Sequence, residues 1–511
     1  MDPRLRTSPS GLSPARLAAV CFATATLLSS RQIAAWTDLE NRYLYHWQRI
    51  DALALVAFVV GSAALSFGVA QIAMARWGGR AHRVLRAIFV LTLIEVGLAY
   101  LVRMPEYPPW WLAWIVPVAV FAVALLMLVA AERLLYRAAV AIALLLSPLG
   151  VILLGQLIAA PSVDIREVTG VSSAPPANRP PIVIVILDGW SWQRSTSAGK
   201  FLESLPNLRL LAESSTQFSN AVSGGAETLT SIPRLIAQSP VSPMSPSDPW
   251  WVLDGPNASA APEPRLFTNA ARAGYSSQVI GFYLPYRELV GEVVGKVVVE
   301  PHWPKGATLG GKMALVALRN VAHLGDPLAR WLGQRLERKI FNRYWYDLNR
   351  RIQSRTIEAV AELQRGHLVL VHFALPHSPF VFSADGTYQG DSVRSRMEPA
   401  PAKYAVHMEY VDKLVGEIIA ELRRNRMFDN TMLILTSDHS WTSDPEQHEL
   451  TRVPLIIKWP AQLKGVEVSI RACLVGLQAF LDDIERKPLS RLPDQLELGD
   501  LTRASCREVG G

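Results

Sequence analysis

Hydrophobic positions along the chain fall into two kinds of run. The first kind is long and uninterrupted: Ala52 to Met74, Ala87 to Val102, Trp110 to Ala131 and Ala138 to Ala160. Most of these approach or exceed the ~20 residues that carry a helix across a bilayer. A weaker stretch, Leu17 to Ser30, follows Arg4, Arg6 and Arg16 and reads as an uncleaved first span or a signal-peptide core. The pattern predicts a transmembrane helix bundle of about five spans over residues 1–160.

The second kind of run is short. Past a Pro-, Ser- and Ala-rich linker at 161–181, IVIVIL at 182, SQVIGF at 277, HLVLVHF at 367, TMLILT at 431 and VPLIIKW at 453 are strand-length and wholly apolar. Helical patterns near 205–213, 314–364 and 403–424 separate them. Alternation of this sort predicts an α/β domain over 182–511, with a mostly parallel sheet covered by helices on both faces.

Charge orients this plan. The 511 residues are half apolar and carry a net charge of +7. Arg76, Arg80, Arg83 and Arg86 crowd one loop between spans, and Arg133 and Arg137 another, whereas the alternate loop has Arg103 alone and is bordered by Trp110, Trp111 and Trp114. Arg-rich short loops stay in the cytoplasm, so the N-terminus is expected inside and everything after Ala160 outside, in a multi-pass protein of a bacterial-type cytoplasmic (inner) membrane. The same loops explain much of the basic excess. With no basic–aromatic module present, nucleic acid is not an expected partner. Glu95, inside a span, reads as an inward-facing carboxyl rather than a transport path. Of three cysteines, Cys21 falls in the first span, and Cys473 and Cys506 either pair in an oxidising compartment or stay as thiols.

Ligands of such a sheet collect at the carboxyl ends of its strands. Asp188 follows IVIVIL, His372 and His377 follow HLVLV, and Ser437, Asp438 and His439 follow TMLILT, with His448 in the next loop. Two carboxylates and several imidazoles at three strand ends suit a divalent metal bound through oxygen and nitrogen. Taken singly, Asp188 also reads as a helix cap and His448 as a solvated loop residue. The segment SGGAETLTSIPRLI, 223–236, offers a nucleophile: Gly224 and Gly225 permit close backbone approach, and a helix is expected to start near Leu229 with Pro233 in its first turn. Thr228 then stands at a helix N-terminus, where the dipole favours an alkoxide, or else Thr228 or Ser231 is simply the N-cap.

VILDGW, ETLTSIPRL, HFALPHSPF, YAVHMEYVDKLVGEIIAEL, DNTMLILTSDHS and RVPLIIKWP together resemble a membrane-anchored sulfatase-like protein of the alkaline phosphatase superfamily. The likeness covers about 181–465 and points to the branch of phosphoethanolamine transferases and lipoteichoic acid synthases. It implies metal coordination by Asp188, Thr228, Asp438 and His439, with Thr228 the nucleophile. It implies substrate or second-metal roles for His377 and His448, with His372 matching more loosely. The implied ion is zinc or manganese first, with magnesium or calcium as alternatives. The implied substrate is a phosphate ester of a lipid or cell-envelope glycan, attacked by metal-activated Thr228 and passed from a phospho-threonine to an acceptor hydroxyl or water.

The sequence also departs from these relatives. Formylglycine sulfatases need Cys or Ser, a residue, Pro, a residue and Arg; here Arg234 comes one place early and Leu235 occupies the Arg position. The transferases begin the site with Glu rather than Asp188, and Ser440 replaces the usual Gly after the Asp-His pair. The misplaced Arg234 argues against formylglycine conversion, and a sulfuric ester hydrolase stands as the nearest alternative reading, with an inactive membrane scaffold as another. The predicted topology is checked by a reporter fused after Ala160: an export-dependent reporter should be active there and a cytoplasm-dependent one silent.

Overall fold

The computed structural model describes residues 13–37, 48–101, 110–159, 168–169, 179–243, 251–253, 262–322 except 305 and 307, 327–390, 400–442, 444 and 449–477. It divides into two compact units, a helical one of residues 1–42, 46–164 and 303–341 and a second of residues 43–45, 165–302 and 342–511. The helices used below are α1 (Pro14–Leu28), α2 (Ser30–Thr37), α3 (Arg49–Leu101), α4 (Trp110–Ala159), α5 (Thr228–Ala237), α6 (Leu309–Ala322), α7 (Pro327–Ala361) and α8 (Pro401–Arg424). The division passes through α7 after Phe341.

Among the described residues of the helical unit, two segments are long and apolar enough to cross a membrane, Arg49–Gly78 and Tyr136–Ala159, and α1 is a shorter apolar helix. Leu65, Val69 and Ile72 of α3 and Leu145 and Ile152 of α4 lie exposed on them. Gly150 lets α1 approach α4: a Cβ there would sit 3.0 Å from Thr26 and 3.2 Å from Phe22. The five expected spans are thus only partly matched. The expected Arg-rich turn at 76–86 is helical apart from a break at Gly78 (φ 51°, ψ −127°), a conformation open to glycine. No turn falls at 132–137 either. AERLLYR has neither Gly nor Pro and consists largely of strong helix formers, so α4 runs through it. The loop at 102–109 and most of the linker lie outside the described residues.

The second unit is built on a ten-stranded sheet. Its strands are β1 (Val168–Thr169), β2 (Ile182–Asp188), β3 (Thr216–Val222), β4 (Ser276–Phe282), β5 (Lys296–Glu300), β6 (His367–Pro376), β7 (Met432–Ser437), β8 (Arg452–Lys458), β9 (Val466–Val468) and β10 (Ala472–Cys473). They lie in the order β1-β5-β4-β6-β2-β7-β8-β3-β9, with β10 also on β3. The middle five, β5-β4-β6-β2-β7, are parallel, and β8 pairs antiparallel with both β7 and β3. Every residue of β2 and β7 is buried, as strands covered on both faces require. Ile184 lies between Leu370 and Ile434 in register, so one layer crosses three strands. Each such aliphatic contributes roughly 1.5–3 kcal/mol by leaving water. Ile232, Leu235 and Ile236 of α5 pack into the same cluster, which fixes the helix that carries Thr228.

Five strands of the sheet escaped the sequence reading, among them β1, β9 and β10, each of two or three residues. TQFSNAV at 216 mixes polar and apolar residues, and KVVVE at 296 is short. Cys473 is disulfide-bonded and Cys21 is free, while Cys506 lies outside the described residues.

One buried carboxylate holds a helix beside the sheet. Asp412 of α8 accepts from Leu208 N (2.7 Å), Asn207 N (3.1 Å) and Asn207 Nδ2 (2.8 Å), so it caps the Pro206–Ala212 helix, which has no side-chain cap of its own. Asp412→Ala leaves those buried N–H groups without a partner and should destabilise the unit by ~1–3 kcal/mol. Urea unfolding of the variant checks this; a change under ~0.5 kcal/mol would mean that water replaces the cap.

Candidate active site

The parallel register delivers three chain segments to one place. Asp188 ends β2 opposite Pro376 of β6, and Ser437 ends β7 opposite Leu187, with Asp438 and His439 next. Ser437 Oγ bridges the Trp190 N–H (2.8 Å) and the Leu187 carbonyl (2.6 Å), locking the two strand ends together. Gly189 follows at φ +75°, and the Tyr404 hydroxyl, donating to its carbonyl at 3.1 Å and accepting from Ser191 N at 2.8 Å, fixes that turn. A Cβ on Gly189 would lie 3.9 Å from both His377 and His439, so both rings border it.

Asp188, Asp438 and His439 are all buried, and each offers a ligand atom within 4.8 Å of the others. Asp438 Oδ1 accepts from His439 N (2.8 Å) and Gly189 N (3.1 Å), and its Oδ2 accepts from Thr228 Oγ1 at 2.7 Å. His439 Nδ1 lies 2.7 Å from the Ser440 carbonyl, which can only accept, so Nδ1 carries the proton. Nε2 therefore presents its lone pair, 3.5 Å from Asp188 Oδ1, 3.5 Å from Asp438 Oδ2 and 3.3 Å from Thr228 Oγ1.

A lone pair facing two carboxylates repels them, and Asp188 Oδ1 is buried with no hydrogen-bond partner. A cation relieves both conditions, so the donor set fits a divalent metal held by Asp188, Asp438, His439 and the Thr228 oxygen. The charges respond accordingly. Burial, reinforced by Asp438, pushes the Asp188 carboxyl well above the ordinary range. Burial also raises Asp438, but the positive charge that His439 and His372 bring when protonated, with the hydrogen bonds donated by the Thr228 hydroxyl and the Gly189 N–H, outweighs it and holds this carboxyl below its usual value.

Thr228 is the first residue of α5, one position earlier than expected, and Glu227 before it makes no side-chain cap. Pro233 accordingly lies inside the helix and not in its first turn. The two glycines permit the approach: a Cβ on Gly225 would strike Thr230 at 2.2 Å, and one on Gly224 would meet Arg234 at 2.9 Å. Thr230 Oγ1 turns back to the Glu227 carbonyl (3.0 Å), while Ser231 Oγ is buried without a partner. Arg234 is tied to the carbonyls of Gly224 and Val241, both at 2.7 Å, and acts as a brace for the loop.

His372 departs from the sequence expectation. β6 runs on to Pro376, so His372 lies inside the strand, opposite Ile186, and is fully buried. Its Nε2 is 3.9 Å from Asp438 Oδ2 and makes no hydrogen bond, while Nδ1 shares a 2.7 Å hydrogen bond with the Tyr286 hydroxyl. Burial, only partly offset by Asp438, pushes its pKa down to about 4, so the ring is neutral. Gly281 makes room for Tyr286, since a Cβ there would lie 2.5 Å from its ring. Sequence reading missed Tyr286, which carries no motif and reaches the site through the third dimension alone. His377 donates from Nδ1 to the Ser378 carbonyl at 2.6 Å, leaving Nε2 as the proton-accepting atom. His448 lies outside the described residues. Asp444, four residues earlier in that loop, is buried and gripped by Arg194 Nε (2.7 Å) and Nη2 (2.5 Å).

A sulfatase family model matches residues 180–473, more than half of the chain. The chain belongs to the sulfatase family. A choline-sulfatase of Rhizobium meliloti (strain 1021) is 28% identical over 142 residues, which is 26% of this chain and 24% of that protein. The chain thus spans about a quarter of the length of this curated relative. Among solved structures, the phosphonate monoester hydrolase of Agrobacterium radiobacter is similar at 17% identity and a TM-score of 0.40, over 60% of this chain and 74% of that one. A protein of the alkaline phosphatase superfamily from Vibrio parahaemolyticus matches at 14% identity and 0.40, over 67% and 76%.

Metal ligands must be deprotonated, so a raised Asp188 carboxyl makes metal affinity fall as pH drops, beginning at higher pH than for an ordinary carboxylate. Metal retained after dialysis across a pH series checks this. Asp438→Asn should lower metal content at neutral pH with the fold intact by circular dichroism, and full occupancy in that variant would remove Asp438 from the ligand set.

Proposed function

We propose that the protein is a membrane-bound, metal-dependent phosphoester hydrolase or phospho-group transferase that works through Thr228. One observation carries this reading: of the three neighbouring hydroxyls, only Thr228 bonds Asp438, at 2.7 Å, and faces His439 Nε2. Thr230 is spent on the backbone, and Ser231 makes no bond to the site.

A divalent cation on these ligands supplies Lewis acidity that lowers the hydroxyl's pKa and neutralises ester charge. Thr228, aligned by its hydrogen bond to Asp438 Oδ2, releases its proton to solvent, and Oγ1 attacks phosphorus along the direction favoured by the N-terminus of α5. The P–O bond to the leaving alcohol breaks, and protonated His377 Nε2 supplies the proton that the alcohol needs. Neutral His377 then removes a proton from water or an acceptor hydroxyl, whose oxygen attacks phosphorus and breaks the P–Oγ1 bond, and the departing Thr228 Oγ1 takes up a proton from solvent. The helices Arg49–Gly78 and Tyr136–Ala159 support membrane anchoring, which favours a lipid or cell-envelope glycan as the ester.

A second reading, sulfate-ester hydrolysis, is favoured by the family match and by the choline-sulfatase relative. Thr228→Ala should cost several orders of magnitude in turnover of an aryl phosphodiester, while Thr230→Ala and Ser231→Ala cost less than ~10-fold. Mass spectrometry of the quenched enzyme should find phosphate on Thr228. An aldehyde at Ser231, with sulfate-ester turnover surviving Thr228→Ala, would establish the sulfatase reading instead.

A further inference from the structure

Residues 303–341 are flanked on both sides by the sheet-containing unit, yet they belong to the helical unit. α6 places Lys312, Val316 and Asn320 four residues apart on one face. That face is fastened by polar contacts. Lys312 Nζ meets Asp51 Oδ1 at 2.6 Å, with both side chains about nine-tenths buried. Gln32 Nε2 donates to the Val316 carbonyl (2.8 Å) and Asn320 Oδ1 (2.7 Å), and Asn320 Nδ2 donates to Ser29 Oγ (3.0 Å).

Ser29, Gln32 and Asp51 follow α1, sit in α2 and open α3, where the apolar runs stop. α1 and α4 run parallel, because Val20 and Ala23 share a cluster with Val140 and Ala143, and Thr26 meets Gly150. Ala159, where the chain leaves the bundle, is therefore at the same end. α6 packs on α3 and is fastened by these polar contacts at that end of the bundle.

The first part of α7 is joined to α6 within the unit. Arg319 lies over Trp303 at 5.1 Å and 3.8 Å from Glu337, Trp303 packs on Phe341 at 4.5 Å, and Gly333 closes on Ala322. The outer face of this pair is mixed: Leu336 is 51% exposed between exposed Arg335, Arg338 and Lys339, and Leu309 and Val321 are exposed on α6.

We infer that residues 303–341 form a platform on the membrane surface that binds the headgroups of anionic phospholipids. The inference rests on the reading of α3 and α4 as membrane spans. Its position at the end of the apolar bundle puts it at headgroup depth. Leucine interleaved with three cations suits that boundary, with the apolar side chain entering the acyl region and the basic groups meeting lipid phosphates.

The full-length protein, in a Cys21→Ser background, is reconstituted in vesicles of phosphatidylcholine alone or with phosphatidylglycerol. A fluorophore is placed on Leu336→Cys or, separately, on Leu65→Cys of α3. Spin labels deep in the acyl chains should quench the Leu65 site in both vesicles. Shallow labels should quench the Leu336 site at least twofold more in phosphatidylglycerol vesicles, and the combined Arg335→Glu, Arg338→Glu and Lys339→Glu change should abolish that preference. Quenching at Leu65 but none at Leu336 overturns the platform while the spans stand. Equal quenching at Leu336 in both vesicles overturns the anionic partner. No quenching at either site overturns the spanning reading and the platform with it.

Discussion

Two carboxylates and an imidazole lone pair converge in a space where water is largely excluded, and everything else in the sheet-containing unit serves to hold that arrangement. Unit charges a few ångströms apart interact by several kcal/mol even at an effective dielectric near 20, so the cluster would not persist unless a cation or a retained proton relieved it. The raised Asp188 and the lowered Asp438 express the two ways out. Asp438 is surrounded by donors and stays ionised. Asp188 has one oxygen without any, and it is the group that must release a proton before a metal enters.

The scaffold supplies the opposing rigidity. β2, β6 and β7 are neighbours in the sheet, buried and parallel, so their carboxyl ends cannot separate without opening the core. α5 is pinned by the same core through Ile232, Leu235 and Ile236, and this places Thr228 against Asp438. Glycine at 224, 225 and 281 removes the atoms that would hold the chain apart, and Arg234 and Tyr286 fill the resulting approaches.

Legibility in the sequence followed from how much of each signal was local. IVIVILD and TMLILTSDH announce both the strand and the residues that end it, so Asp188, Asp438 and His439 were readable as a set. His372 was misplaced because the apolar run does not reveal that the strand continues five residues further. The start of α5 was off by one because Glu227 gives no capping signal, and Thr216–Val222 was missed because an edge-side strand carrying Gln217, Ser219 and Asn220 does not look apolar. Tyr286 and the orphaned oxygen of Asp188 are products of packing between distant segments. The arginines at 76–86 and 133–137 were read as turns from their charge, while the backbone followed helix propensity through most of that sequence.

The two units handle buried charge differently. In the helical unit, Lys312 and Asp51 meet at 2.6 Å, and neither needs an outside ion. Breaking such a pair from one side leaves an uncompensated charge, a penalty of ~3–5 kcal/mol that makes it a strong specifier of where α6 sits. Among the described residues, no lysine or arginine takes the equivalent place at the sheet ends. Arg194 is committed to Asp444 and Arg234 to the backbone of its own loop. A protein cation fixed beside Asp188 and Asp438 would satisfy them permanently and leave nothing for a substrate oxyanion. Pairing the nearby arginines elsewhere keeps the negative cluster available to an exchangeable metal, whose remaining positive charge can then face the ester.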